Sequence, residues 1–337
     1  MSAGYFAEVP VDVSKLSSLR AENFPYSGPY PWLDQPDSLE QIDVRVNDGR
    51  LTADQAEQCR YWVKNGYIIV PKLIADSTLD LVWEAYEKAV RDGIIPLSPE
   101  SAGDGDPYPG RFLDPHQRVD AFCHILRHPG LLRWIEILME REPEPFQTIT
   151  CHKGSQQGAH SDSIHMTTYP IGYLSAAWIA FEDIHPDCGP LVYYPGSHRL
   201  PYVFSKDVGI SHEDFKQRKY AEYHDKYEPR IREVIAENGL EPHYFHAKKG
   251  DVLIWHANLI HGGSMRRDLS LSRKAVVCHF FVKGSFAYHD LSGTETKPFA
   301  GTCLLRDQSG EPVATPANEP AVKAPGVLKR LWRSFKR

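Results

Sequence analysis

His160, Asp162 and His261 are the residues whose types and spacing could do the most demanding chemistry in this chain. Two imidazoles and one carboxylate on one face of an Fe(II) ion leave three coordination positions open, as in non-heme iron oxygenases. In His160-Ser161-Asp162 the two ligand types stand two apart. Side chains alternate along a strand, so one strand end could aim both at a single metal. A distant strand must then supply His261. The triplet alone is a weak motif, because the chain has 16 histidines and a second match at His185-Pro186-Asp187. That match is set aside, since its proline breaks a ladder and Cys188-Gly189-Pro190 after it reads as a turn. Context favours the first. Gly154-Ser155-Gln156-Gln157-Gly158 brings the chain to a strand end before His160, and an apolar strand from Gly250 leads on to His261-Gly262-Gly263-Ser264. Glycines beside a strand-end histidine leave room for a ligand. Arg273, twelve residues after His261, opens the next apolar strand and could grip a carboxylate in bidentate fashion.

The elements that must position these residues can be read from periodicity. Residues 1–45 are rich in Pro, Ser, Tyr and Asp without sustained period, which predicts an extended N-terminal arm on the domain. Thr52-Ala53-Asp54-Gln55 is a capping box opening a helix to about Lys64, ended by Gly66. Tyr67-Ile68-Ile69-Val70 reads as a strand. Asp76 is expected to cap a second helix with Leu79, Val82, Trp83, Tyr86 and Val90 at helical spacing, closed by Gly93. Residues 96–118 read as a long loop and 131–139 as a third helix. Short β-branched and aromatic segments then recur at 146–151, 163–169, 174–184, 191–194, 243–247, 251–256 and 274–282. Helices first and strands afterwards predict an α+β domain over 46–290, built on a β-sandwich or jelly roll. The charged stretch within 205–242 reads as a helical insertion between strands, placed where it could act as a lid.

Composition bounds the partners. Hydrophobic residues make up 42% and charged residues 24%, enough for a packed core. A net charge of -6 argues against nucleic-acid binding. Residues 291–337 form a tail whose last segment, 326–337, is a basic amphipathic helix. Val327, Leu328, Leu331, Trp332 and Phe335 share one arc, opposite Lys329, Arg330, Arg333, Lys336 and Arg337. Two readings stay open for it: peripheral contact with a membrane's inner face, or docking on an acidic protein surface. Six cysteines without C-x-x-C spacing read as reduced thiols of a cytoplasmic protein. Met1–Pro10 lacks a basic and an apolar region, so no signal peptide is expected.

Five blocks together resemble the phytanoyl-CoA dioxygenase family of Fe(II)/2-oxoglutarate oxygenases, in particular bacterial-type members of unassigned substrate. They are His160-Ser161-Asp162, residues 177–183, residues 189–198, residues 249–264 and Arg273, and the likeness covers roughly residues 60–285. The resemblance implies a double-stranded β-helix, or cupin-like jelly roll, flanked by N-terminal helices. It implies that His160, Asp162 and His261 bind Fe(II), that Arg273 holds the distal carboxylate of 2-oxoglutarate with help from Ser264, and that Trp178 lines the pocket. Gln147 and Ile149, alternating onto one face of the preceding strand, are further lining candidates. One departure is an extra glycine, Gly263, which makes the spacing from His261 to Arg273 one residue longer than the family's and leaves open whether Gly263 or Ser264 meets the co-substrate. The implied reaction consumes O2 and 2-oxoglutarate, releases succinate and CO2, and hydroxylates a small-molecule, lipid or glycan-type substrate. A carboxylate at Asp162 favours hydroxylation over halogenation. A non-catalytic cupin-like binding protein, and a halogenase or epimerase variant, are the alternatives.

Overall fold

Alternation along the strands decides what each side of the main sheet meets. The computed structural model describes residues 9–26, 30–96 and 110–299. Its strands are β1 (Tyr67–Val70), β2 (Arg111–Leu113), β3 (Pro143–Cys151), β4 (Thr167–Tyr169), β5 (Leu174–Ala180), β6 (Leu191–Tyr193), β7 (His243–Tyr244), β8 (Val252–His256), β9 (His261–Gly263), β10 (Ala275–Val282), β11 (Phe286–His289) and β12 (Thr294–Thr296). One six-stranded antiparallel sheet runs β1-β8-β5-β10-β3-β2, beside three-stranded sheets β7-β6-β9 and β12-β11-β4. Across the main sheet Leu253 faces Trp178, Trp178 faces Val277 and Val277 faces Ile149. One step along, Ile254, Ala177 and Cys278 form the opposite face. The first face packs with Leu191, Tyr193 and Phe245. The second packs on the helices α1 (Ser38–Asn47), α2 (Ala53–Asn65), α3 (Asp76–Arg91), α4 (Cys123–Leu126) and α5 (Pro129–Met139), through Ile42, Trp62, Leu79, Tyr86, Ile125 and Ile135. A one-residue slip of β5 would exchange these faces and drive Trp178 into the helical layer. Each such fully buried side chain contributes about 1.5–3 kcal/mol, so this register is strongly held.

The capping box at Thr52 forms as expected. Gln55 N–H donates to Thr52 Oγ1 at 3.2 Å, and Thr52 N–H donates to Gln55 Oε1 at 3.0 Å. Gly66 ends α2 at φ 79°, and a Cβ there would strike the ring of His198. The insertion also forms. A 3-10 turn at Ser205–Val208, α6 (His212–Arg218), a π-helical turn at Tyr223–Tyr227 and α7 (Glu228–Glu237) lie between β6 and β7. Phe215, Tyr223, Tyr227, Ile231 and Val234 pack on Ile164 and Ile260, neighbours of Asp162 and His261 in the chain.

Several expectations are corrected. The arm over 1–45 is not wholly extended, because α1 begins at Ser38. Its buried side carries Arg45, which hides the helical period. Arg45 is paired with Glu140 and stands 4.1 Å over Trp32. Ala75, not Asp76, is the N-cap of α3, and Asp76 instead pairs with Lys72. The expected loop contains the edge strand β2, though residues 97–109 lie outside the described part. Of 163–169 only the last three residues are strand. Near its start the tail carries β12, which pairs antiparallel with β11 just before it, while 326–337 lies outside the described residues. Cys59, Cys151, Cys188 and Cys278 are free, but Cys123 is disulfide-bonded, against the reading of six reduced thiols.

Candidate metal centre

His160 and His261 face each other through an isolated antiparallel bridge. His160 N–H donates to His261 O at 2.9 Å, and His261 N–H donates to His160 O at 2.8 Å. Their ring centroids are 4.5 Å apart. Asp162 does not continue a strand. It starts a 3-10 turn, Asp162–Ile164, whose first carbonyl accepts from the N–H groups of His165 and Met166. This turn, rather than strand alternation, brings the carboxylate beside the histidines, with Asp162 Oδ1 3.6 Å from His261 Nε2. One donor atom from each of the three residues lies within 4.8 Å of the others, and all three residues are buried.

The donor set fits a divalent metal. His160 Nδ1 lies 2.9 Å from Gly158 O, and His261 Nδ1 lies 2.9 Å from Leu259 O. A carbonyl only accepts, so each Nδ1 carries a hydrogen and Nε2 is the ring nitrogen left to meet a metal. Gln157 Nε2 stands 3.3 Å from His160 Nε2, as a donor to that lone pair would. Burial opposes ionisation of Asp162, but His261 and His279 beside it outweigh burial and hold its carboxyl well below the usual range. Burial and the neighbouring His261 push His160 down to about 3. Neutral imidazole and carboxylate are the forms that bind metal without first losing a proton.

Trp255 on β8 donates its indole N–H to Asp162 Oδ2 at 2.8 Å. His279 on β10 places Nε2 3.8 Å from Oδ1. Sequence reading missed both, although alternation pointed to them: Trp255 follows Leu253 on the inner face, and His279 follows Val277. Tyr227 of the insertion accepts from Ser161 N–H at 3.3 Å. Partners that orient metal ligands typically carry 10- to 100-fold in affinity. Trp255→Phe is therefore expected to weaken metal binding by about 10–100-fold, measured by competition with a chromogenic chelator. Wild-type affinity would show that the indole does not set the carboxylate.

The cavity over the triad lies between the main sheet and β6–β9. Ile149, Trp178, Arg273 and His279 line it on one side, and Leu191 and Gly262 on the other. Arg273 is 2% exposed, donates from one terminal nitrogen to Gly189 O at 3.0 Å and stands 5.7 Å from the Trp178 ring centroid. Its Nε has no partner, and no acidic side chain among the described residues pairs with it. Ser264 is not on the cavity wall. Its hydroxyl donates to Pro190 O at 2.7 Å, so it secures the same Gly189-Pro190 turn that receives Arg273. At Gly263 a Cβ would come 2.4 Å from Ser155 Oγ and 2.7 Å from Gln156 N, so any side chain there would force a shift. Gln147 pairs with His279 across the strands, yet Ile149 lines the cavity and Gln147 does not. His198 is 8% exposed and packs against His256. His185 and Asp187 sit on a 3-10 turn with half-exposed side chains.

The family model for phytanoyl-CoA dioxygenase matches residues 62–275, a stretch that contains the triad and Arg273. The chain belongs to the phytanoyl-CoA dioxygenase family. It is thus an iron- and 2-oxoglutarate-dependent dioxygenase on an α+β, jelly-roll fold. Relatives in the family include peroxisomal phytanoyl-CoA dioxygenase of Mus musculus, 23% identical over 77% of this chain and 77% of that protein. The Homo sapiens protein is 22% identical over 76% of this chain and 75% of its own length. Among solved structures, the non-heme alpha ketoglutarate dependent carbocyclase SnoK from nogalamycin biosynthesis superposes with a TM-score of 0.55 at 14% identity, covering 82% of this chain and 98% of its own. EctD from S. alaskensis with 2-oxoglutarate and 5-hydroxyectoine gives 0.54 at 15% identity, covering 75% and 87%. At these identities the structures speak to fold. Among the described residues no helix is long and apolar enough to cross a membrane.

Proposed function

We propose that His160, Asp162 and His261 hold Fe(II), that Arg273 anchors the distal carboxylate of 2-oxoglutarate, and that the enzyme hydroxylates an unactivated C–H bond. The observation that carries this reading is Arg273. A buried guanidinium without an anionic partner is costly, and a carboxylate entering the cavity would relieve that cost through charge-assisted hydrogen bonds. Trp178 covers the guanidinium from one side and Ile149 gives the co-substrate chain an apolar wall. The iron, when bound with 2-oxoglutarate and O2, supplies the oxidation that yields succinate, CO2 and a hydroxylated product. The protein's own residues fix the ligand tautomers, keep Asp162 ionised and close the site between two sheets. Support for catalysis over mere binding comes from the donor set, since structural metal sites usually close with a fourth side chain, and among the described residues the triad has none. Protein supplied with Fe(II), 2-oxoglutarate and O2 is expected to form succinate. Failure to form it would return the reading to a cupin-like binding protein.

The substrate is proposed to be a small molecule or a lipid- or glycan-linked one. Contact of 326–337 with an anionic membrane face is proposed on its amphipathic sequence. It requires that truncation after residue 320 abolish pelleting with anionic vesicles.

A further inference from the structure

Buried polar atoms without a partner are uncommon in native proteins and point to a water, an ion or a ligand. Three such atoms meet beside the metal centre: Nδ1 and Nε2 of His165 and the phenolic oxygen of Tyr223. His165 lies three residues after Asp162. Its ring stands 5.5 Å from that of His160 and 5.0 Å from that of Tyr223. Tyr220 at 5.9 Å and His289 at 6.1 Å complete a cup of rings, and Tyr220, 44% exposed, forms its outer edge. The insertion supplies both tyrosines. Tyr223 opens the π-helical turn, a feature frequent at functional sites. The cup is also tied to the triad, because Tyr227 stacks on Tyr223 at 5.1 Å and accepts from the backbone of Ser161.

The atoms on offer define the ligand. A neutral imidazole presents one donor and one acceptor, and a phenol presents both as well. That pair matches hydroxyl groups, which also donate and accept. The rings give an apolar surface on which the C–H face of a cyclic ligand can rest. The cup's own side chains are imidazoles and phenols, and no Asp, Glu, Lys or Arg is among them. His160, whose ring stands 5.5 Å from that of His165, belongs to the wall of the metal cavity and links cup to cavity. An acyl chain laid over His165 and Tyr223 would leave all three polar atoms buried and unpaired, an arrangement proteins avoid.

We propose that this cup is the substrate subsite and that it takes a neutral ring bearing hydroxyl groups, paired to His165 and Tyr223 and seated on Tyr220. The proposal rests on the metal centre being the place of oxidation. It is tested on the full chain loaded with Zn(II) and 2-oxoglutarate, which does not turn over, by saturation-transfer NMR. The probes are methyl α-D-glucopyranoside, myo-inositol and decanoate. At least one of the two hydroxylated rings is expected to show saturation at its ring C–H protons, with decanoate silent. Tyr223→Phe and His165→Phe are each expected to weaken that binding by roughly 3- to 10-fold, the worth of one hydrogen bond. Because the Tyr223 hydroxyl has no partner, Tyr223→Phe should not lower the thermal midpoint of the unliganded protein. The proposal is overturned if neither ring binds, if both variants bind like wild type, if decanoate binds instead, or if the midpoint of Tyr223→Phe falls. Zinc content of the same samples separates the failures. Protein that takes up no metal contradicts the metal centre itself, whereas metal-loaded protein with any of the overturning results contradicts only the subsite.

Discussion

Asp162→Ala is expected to give a folded protein that forms no succinate and binds Fe(II) more than about 100-fold more weakly, beyond the loss typical of outer partners. Asp162 is the carboxylate in the group formed with His160 and His261. Removing it leaves two neutral imidazoles to face a dication. The fold should persist, because the helical layer and the inner face of the main sheet pack without this side chain. The local cost is the Trp255 indole losing its acceptor, about 1–3 kcal/mol for a buried donor. Circular dichroism, metal content and oxygen-dependent succinate should therefore separate: the first close to wild type, the other two lost. Undiminished succinate formation would exclude Asp162 from the site.

Arg273→Met is expected to raise the KM for 2-oxoglutarate by about 100-fold while leaving metal binding intact. Methionine keeps much of the apolar stem beside Trp178 but removes every N–H. A charge-assisted bidentate contact is worth about 3 kcal/mol, and 1.4 kcal/mol is tenfold. The same substitution removes a buried charge with no acidic partner among the described residues, so the protein without co-substrate should melt at a higher temperature than wild type. The two effects have opposite signs for binding and stability, which a purely structural arginine would not produce. An unchanged KM, or a lowered melting temperature with unchanged KM, would assign Arg273 to holding the Gly189-Pro190 turn alone.

Much of the site was legible because it follows from residue type and order. The triad and Arg273 lie around one cavity as their types suggested, and Trp178, placed there only by the family resemblance, and Ile149 line it too. The route by which Asp162 arrives was not legible, since a two-residue spacing fits a strand and a 3-10 turn equally well. Trp255 and His279 were hidden for another reason. Their positions on the inner face follow from alternation, but which inner-face residue touches a ligand depends on how far each strand is staggered. Ser264 shows the limit of carrying a role over by position, because its hydroxyl donates to Pro190 O and it does not line the cavity. In the fold, helices with clean apolar stripes were evident, as in α3. α1 was obscured by Arg45 on its buried side, where Glu140 and Trp32 compensate its charge. The short strands β2, β11 and β12, of three or four residues, carry too few alternations to stand out.

The central claim is that one cavity holds iron on the triad and 2-oxoglutarate on Arg273 together. Anaerobic titration of 2-oxoglutarate into the Fe(II)-loaded full chain, followed by visible absorption, tests it most directly. The account predicts a metal-to-ligand charge-transfer band that saturates at one equivalent, is lost in Asp162→Ala and needs far more 2-oxoglutarate in Arg273→Met. Iron-loaded protein that develops no band at saturating 2-oxoglutarate would contradict it.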